Sequence, residues 1–170
     1  RRFLQGTAAL PLSVWLARNV AFAQSAPFVR YDIASPQGLD MLATYANTIR
    51  LMQARPETDP RSWLWQWYTH FVNGATTKAN EINRIWGGVV TPESTLATSI
   101  WNTCQSHAGQ NTNHFLPWHR MFMFFFESII RELSGRADFA MPYWNYTSDD
   151  PAQRGILPIQ FRMPTDPVFG

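Results

Sequence analysis

The sequence predicts an all-α fold, on three observations. Apolar residues recur at three- and four-residue steps in three separate stretches. Two of those stretches open on a capping residue followed by Pro, at Ser35-Pro36 and Asp59-Pro60. An aromatic content of 15%, with eight Trp, against only 15% charge supplies apolar mass for helices to pack on. The length of 170 residues suits one domain.

The first 23 residues read as a targeting segment. Arg1-Arg2-Phe3-Leu4 precedes an apolar run with Ala8, Ala9, Leu10, Leu12, Val14, Trp15 and Leu16, and Ala21-Phe22-Ala23 has a small-x-small cleavage pattern. The run is interrupted by Pro11 and Arg18 and is shorter than the ~20 residues a membrane span needs, so a cleaved signal is expected and not an anchor. One more Arg in front would make the start resemble the twin-arginine export signal. The opening on Arg and a stop at Gly170 without a closing element lead us to expect a fragment cut at both ends.

Residues 24–35 are expected to be a loose lead-in. From Ser35-Pro36, Leu39, Leu42, Tyr45 (or Ala46), Ile49 and Met52 mark one helical face, which Arg55-Pro56 ends. Asp59 as N-cap and Pro60 as first helical residue predict a second helix to about Asn73-Gly74, carrying Trp63, Trp67, His70 and Phe71 at helical spacing. Lys78 to Trp86 reads as a short helix or an irregular excursion, and Gly87-Gly88 and Thr91-Pro92 as turns. After Pro117, His119, Phe122, Met123, Phe126 and Ile130 share one face of a third helix. Beyond Trp144 the chain is punctuated by Pro151, Pro158, Pro164 and Pro167.

Charge excludes a nucleic-acid partner. Arg1, Arg2 and Arg18 account for three of the 14 basic residues, and without them 11 remain against 12 acidic ones, so no basic patch survives. The sequence contains neither a Ser-His-Asp arrangement nor an HExxH zinc motif. Its histidines are concentrated: of four, His107, His114 and His119 lie close together and His70 stands upstream.

Three of these stretches together resemble a known family. Phe115-Leu116-Pro117-Trp118-His119-Arg120, then Phe126-Glu127, then Ala140-Met141-Pro142-Tyr143-Trp144-Asn145-Tyr146 are similar to the first copper-binding half of the tyrosinases. Catechol oxidases and molluscan-type hemocyanins share that half. Asp59-Pro60-Arg61-Ser62-Trp63 with His70 resembles the segment before the first copper ligand in plant and many bacterial members. The resemblance covers residues 36–150.

The resemblance implies half of an antiparallel four-helix bundle holding copper between helices. His70 and His119 correspond to the first and third ligands of this copper. Members place the second ligand nine residues before the PWH histidine, where this chain has Gln110, a poor copper ligand. His107, twelve residues before His119, is the favoured second ligand, because a loop absorbs three extra residues cheaply; His114 is the fallback. Around the metal, Asn111, Asn113 and Asn145 are candidate partners for the ligands' second nitrogens, and Phe126 is expected to wall the copper. Arg120 and Glu127 are expected to be structural charges. Cys104, the single cysteine, precedes His107 by one residue more than the spacing at which fungal and molluscan relatives join Cys to His as a thioether, so a plain buried thiol is expected.

The functional implication is copper-dependent oxidation of phenols: hydroxylation of monophenols, oxidation of o-diphenols to o-quinones by O₂, or both. The complete protein would use two copper ions. The second-copper motif is absent here, so this chain supplies one site. The expected organisation is an export signal at 1–23, the N-terminal part of the copper domain at 24–146, and a truncated connector at 147–170. The expected protein is periplasmic or secreted, acts on a small phenol, and has a copper chaperone as a further candidate partner. A hemocyanin-like O₂ carrier and a non-catalytic single-copper fragment are the alternatives.

Overall fold

The computed structural model describes residues 28–72, 74–104, 114–155 and 158. Among them are five helices and no strand: α1 Pro36–Gln53, α2 Trp63–His70, α3 Lys78–Trp86, α4 Pro92–Ile100 and α5 Phe115–Ser134. The fold is all-α, as the periodicity predicted. No described helix is long and apolar enough to cross a membrane. The expected signal at 1–23 lies outside the described residues.

Helix α1 starts where the sequence says it should, because the Ser35 hydroxyl accepts the Gly38 N–H at 3.0 Å and Pro36 opens the first turn. Its buried face is turned slightly from the expected one. Leu39 is 37% exposed while Met41 is 4% exposed, and Leu42, Thr48 and Met52 complete the stripe. Of the expected lead-in, residues 24–27 lie outside the described residues, and the stretch from 31 to 35 is not loose. Ile33 N–H donates to the Tyr143 carbonyl and Tyr143 N–H to the Tyr31 carbonyl, both at 2.9 Å, in a parallel bridge that the sequence pattern did not announce.

That bridge is fitted over Gly38. A Cβ at this position would run into the Asp32 carbonyl group, so glycine is required for space and not for its dihedral freedom. Gly38→Ala is expected to push residues 32–33 off the helix and cost about 1–3 kcal/mol. A denaturant titration reads the loss, and an unchanged midpoint would refute this close approach.

Helix α2 differs from expectation at both ends. Ser62, not Asp59, is the N-cap, its hydroxyl accepting the Trp65 N–H at 3.1 Å. The Asp59 carboxylate is engaged by the Arg61 N–H at 2.8 Å and the Arg55 side chain at 2.8 Å. Burial opposes ionisation of Asp59, yet the hydrogen bonds from Arg61 and Arg55 outweigh it and hold the carboxyl below its usual range. The helix stops at His70, before Gly74, because Phe71 is extended at φ −157° and the Asn102 N–H takes the Tyr68 carbonyl at 2.7 Å. His70 is therefore a C-terminal helical residue with its ring at an open end.

The short-helix option holds for α3, which Thr77 caps and Gly87 ends at φ 60°. Thr91-Pro92, read as a turn, is instead the entrance of α4: Thr91 and Ser94 form a reciprocal capping box and Pro92 sits in the first turn. The same dipeptide serves both uses, and the short helix after it has few apolar residues to betray its period.

Two apolar clusters meet along α2. On one side Trp65 and Tyr68 pack with Val72, Trp86, Ala97 and Trp101. On the other Trp63 packs against Met41, Met52, Phe126, Ile130 and Phe139. Helix α5 starts two residues before Pro117, a position tolerated because N–H groups in a first turn lack intrahelical partners anyway. Glu127, buried on α5, accepts the Met141 N–H at 2.9 Å and pairs with Arg30 at 2.7 Å, so the acid has the structural role expected of it.

Candidate metal centre

Three elements deliver one potential ligand each to a common point. His70 ends α2, His119 lies in the second turn of α5, and Cys104 follows α4. The ligand atoms of His70, Cys104 and His119 all lie within 4.8 Å of one another. Cys104 Sγ is 3.4 Å from His70 Nε2 and 3.5 Å from His119 Nε2.

The orientation of His119 follows from its other nitrogen. Nδ1 is 2.7 Å from the Phe115 carbonyl, which can only accept, so Nδ1 carries the proton and Nε2 presents its lone pair to the cluster. For His119 the orienting partner is a backbone carbonyl, one of the partner types a ligating histidine takes. Burial, with the neighbouring His119 adding to it, pushes the His70 pKa below the ordinary imidazole value, which favours the neutral ring. Burial also pushes the Cys104 thiol up.

Aromatic rings line the cluster. Trp118 and Phe122 meet the His70 ring edge-on at 5.8 and 6.1 Å, and Phe115 lies 4.3 Å from the His119 ring. Phe126, expected as the wall, sits deeper: it is buried among Trp63 and Tyr45 and stacks on Phe122 at 5.9 Å. The three-residue step from His119 to Phe122 in the same stripe was the signal for the nearer ring.

His107, with Asn111 and Asn113, lies outside the described residues. His114 is the exposed N-cap residue of α5, without a side-chain capping bond. The Asn145 side-chain oxygen accepts from the Thr147 hydroxyl at 3.1 Å. Cys104 is partly buried, and it stands as near the imidazole nitrogens as a ligand would. Two imidazoles and a sulfur, with their lone pairs convergent, form a donor set that suits copper.

A family model, the common central domain of tyrosinase, matches residues 60–169. Among curated proteins the chain is similar to the tyrosinase HcTyr1 of Hahella sp. (strain CCB-MM4), 37% identical over 114 residues, covering 63% of this chain and 23% of that protein. Polyphenol oxidase II, chloroplastic, of Ipomoea batatas is 28% identical over 132 residues, covering 76% of this chain and 18% of that protein. Aureusidin synthase of Antirrhinum majus is 30% identical over 115 residues, covering 63% of this chain and 16% of that protein. The matches with these relatives thus cover less than a quarter of each relative's length.

Proposed function

Because the chain belongs to the tyrosinase family, we propose that it supplies the first copper site of a copper-dependent phenol oxidase. The observation that carries this reading is the convergence of His70 Nε2 and His119 Nε2 from two helices onto one point. His107 completes the histidine set, with His114 as the alternative. The whole protein holds two copper ions and takes O₂ and a small phenol as substrates.

Copper held by neutral imidazoles with a coordination position open is the group that activates O₂ toward a phenol. The chain's own residues prepare that position. The Phe115 carbonyl holds the Nδ1 proton of His119 and so fixes its tautomer, while Phe122 and Trp118 pack edge-on against the His70 ring. Helix placement gives the two histidines more precise positions than loops would. Export with removal of residues 1–23 belongs to the same reading, as does delivery of copper by a chaperone.

The test is the full-length protein loaded with copper, with O₂ consumption followed on a monophenol and on an o-diphenol. Quinone formation from the o-diphenol is the expected result, and activity on the monophenol as well would mark a hydroxylase. Reversible O₂ binding without turnover of either phenol would overturn the enzyme reading in favour of a carrier.

A further inference from the structure

Cys104 has no part in a three-histidine site, yet its sulfur faces both described histidines at nearly equal distance, 3.4 and 3.5 Å. Without a metal the two contacts require the thiol to donate to one nitrogen and accept an N–H from the other, whereas one metal ion engages the sulfur and both nitrogens together. With metal–sulfur and metal–nitrogen bonds of about 2.3 and 2.0 Å, tetrahedral ligands stand about 3.5 Å apart. The two S···N separations therefore have the length of ligand–ligand edges around one ion.

The backbone that presents the sulfur is held from several sides. Trp101 is fully buried, Asn102 adopts a left-handed φ of 58° with its N–H on the Tyr68 carbonyl, and the Thr103 hydroxyl donates to the Ile100 carbonyl at 2.7 Å. His119 meets the sulfur with the nitrogen that its Phe115 contact leaves unprotonated. A thiolate beside imidazoles selects a soft, filled-shell ion, and among copper states that is Cu(I).

We propose that Cys104 is a thiolate ligand of Cu(I), forming with His70 and His119 a sulfur–dinitrogen site that holds the metal in its reduced state. This rests on the copper reading above and adds a ligand that the three-histidine set lacks. On binding, the thiol releases its proton to solvent, a Cu–S bond forms, and no electron changes hands.

The test compares the full-length protein with Cys104→Ser, both loaded with Cu(I) without oxygen and both checked for native helix content by circular dichroism. X-ray absorption is expected to show a sulfur neighbour at about 2.3 Å in the parent and none in the variant. Retention of Cu(I) against a competing chelator is expected to fall about tenfold or more in the variant. Only nitrogen and oxygen neighbours in the parent would overturn the proposal, as would equal retention in the variant. A parent mass two hydrogens light with no titratable thiol would overturn it too, since the sulfur would then be bonded to carbon. Failure of the parent to take up any copper would overturn the copper reading itself, whereas phenol oxidation without a Cu–S neighbour would remove this inference alone.

Discussion

His119→Ala is expected to strip copper from this centre and abolish phenol oxidation by the full-length protein. The ring's Nε2 is one of the described nitrogens that converge at the site, and its Nδ1 is committed to the Phe115 carbonyl, so the ring has no second nitrogen to offer the metal. Loss of a mere orienting partner typically weakens metal binding about 10–100-fold, and removing the ligand itself should exceed that range. His119 is only partly buried, so α5 should still fold, and circular dichroism checks that point. Metal analysis after dialysis against a chelator gives the readout. His107→Ala should behave alike and His114→Ala should retain its copper; the reverse pattern would transfer the role to His114. A full copper complement in the His119 variant would refute the ligand assignment.

Trp101→Ala is expected to cost about 3–5 kcal/mol of stability, the range for deleting a large aromatic from a packed core. Trp101 is 0% exposed and its ring meets Trp65, Tyr68 and Trp86 at centroid distances of 5.1, 5.0 and 5.6 Å. Its ring neighbours are held by two different helices, α2 and α3, so their collapse into the cavity would be incomplete. The same residue anchors the turn that aims Cys104 at the histidines, so the variant should also bind copper more weakly than its stability loss alone requires. Equilibrium denaturation measures the first effect and chelator competition on the folded fraction the second. A loss below about 1 kcal/mol would mean that the tryptophan cluster does not carry this half of the core.

The family motifs and helices α1 and α5 are legible from neighbouring residues alone. Ser35-Pro36 carries its own start signal, and the stripe from His119 to Ile130 carries its own period. These features depend on contacts within one or two turns, which the local sequence specifies. The face of α1, the ends of α2 and the entrance of α4 were decided by partners distant in sequence. Asp59 is drawn into ion pairs with Arg55 and Arg61, which leaves Ser62 to cap α2. The Tyr68 carbonyl is taken by Asn102, and residues 31–33 find Tyr143 across more than a hundred residues. The metal centre divides along the same line. Sequence alone put His70 and His119 on helices and named copper through a resemblance. Only the packing of α2, the turn after α4, and α5 around two aromatic clusters placed the Cys104 sulfur between their nitrogens, because ligand convergence is set by how helices pack and not by spacing along the chain.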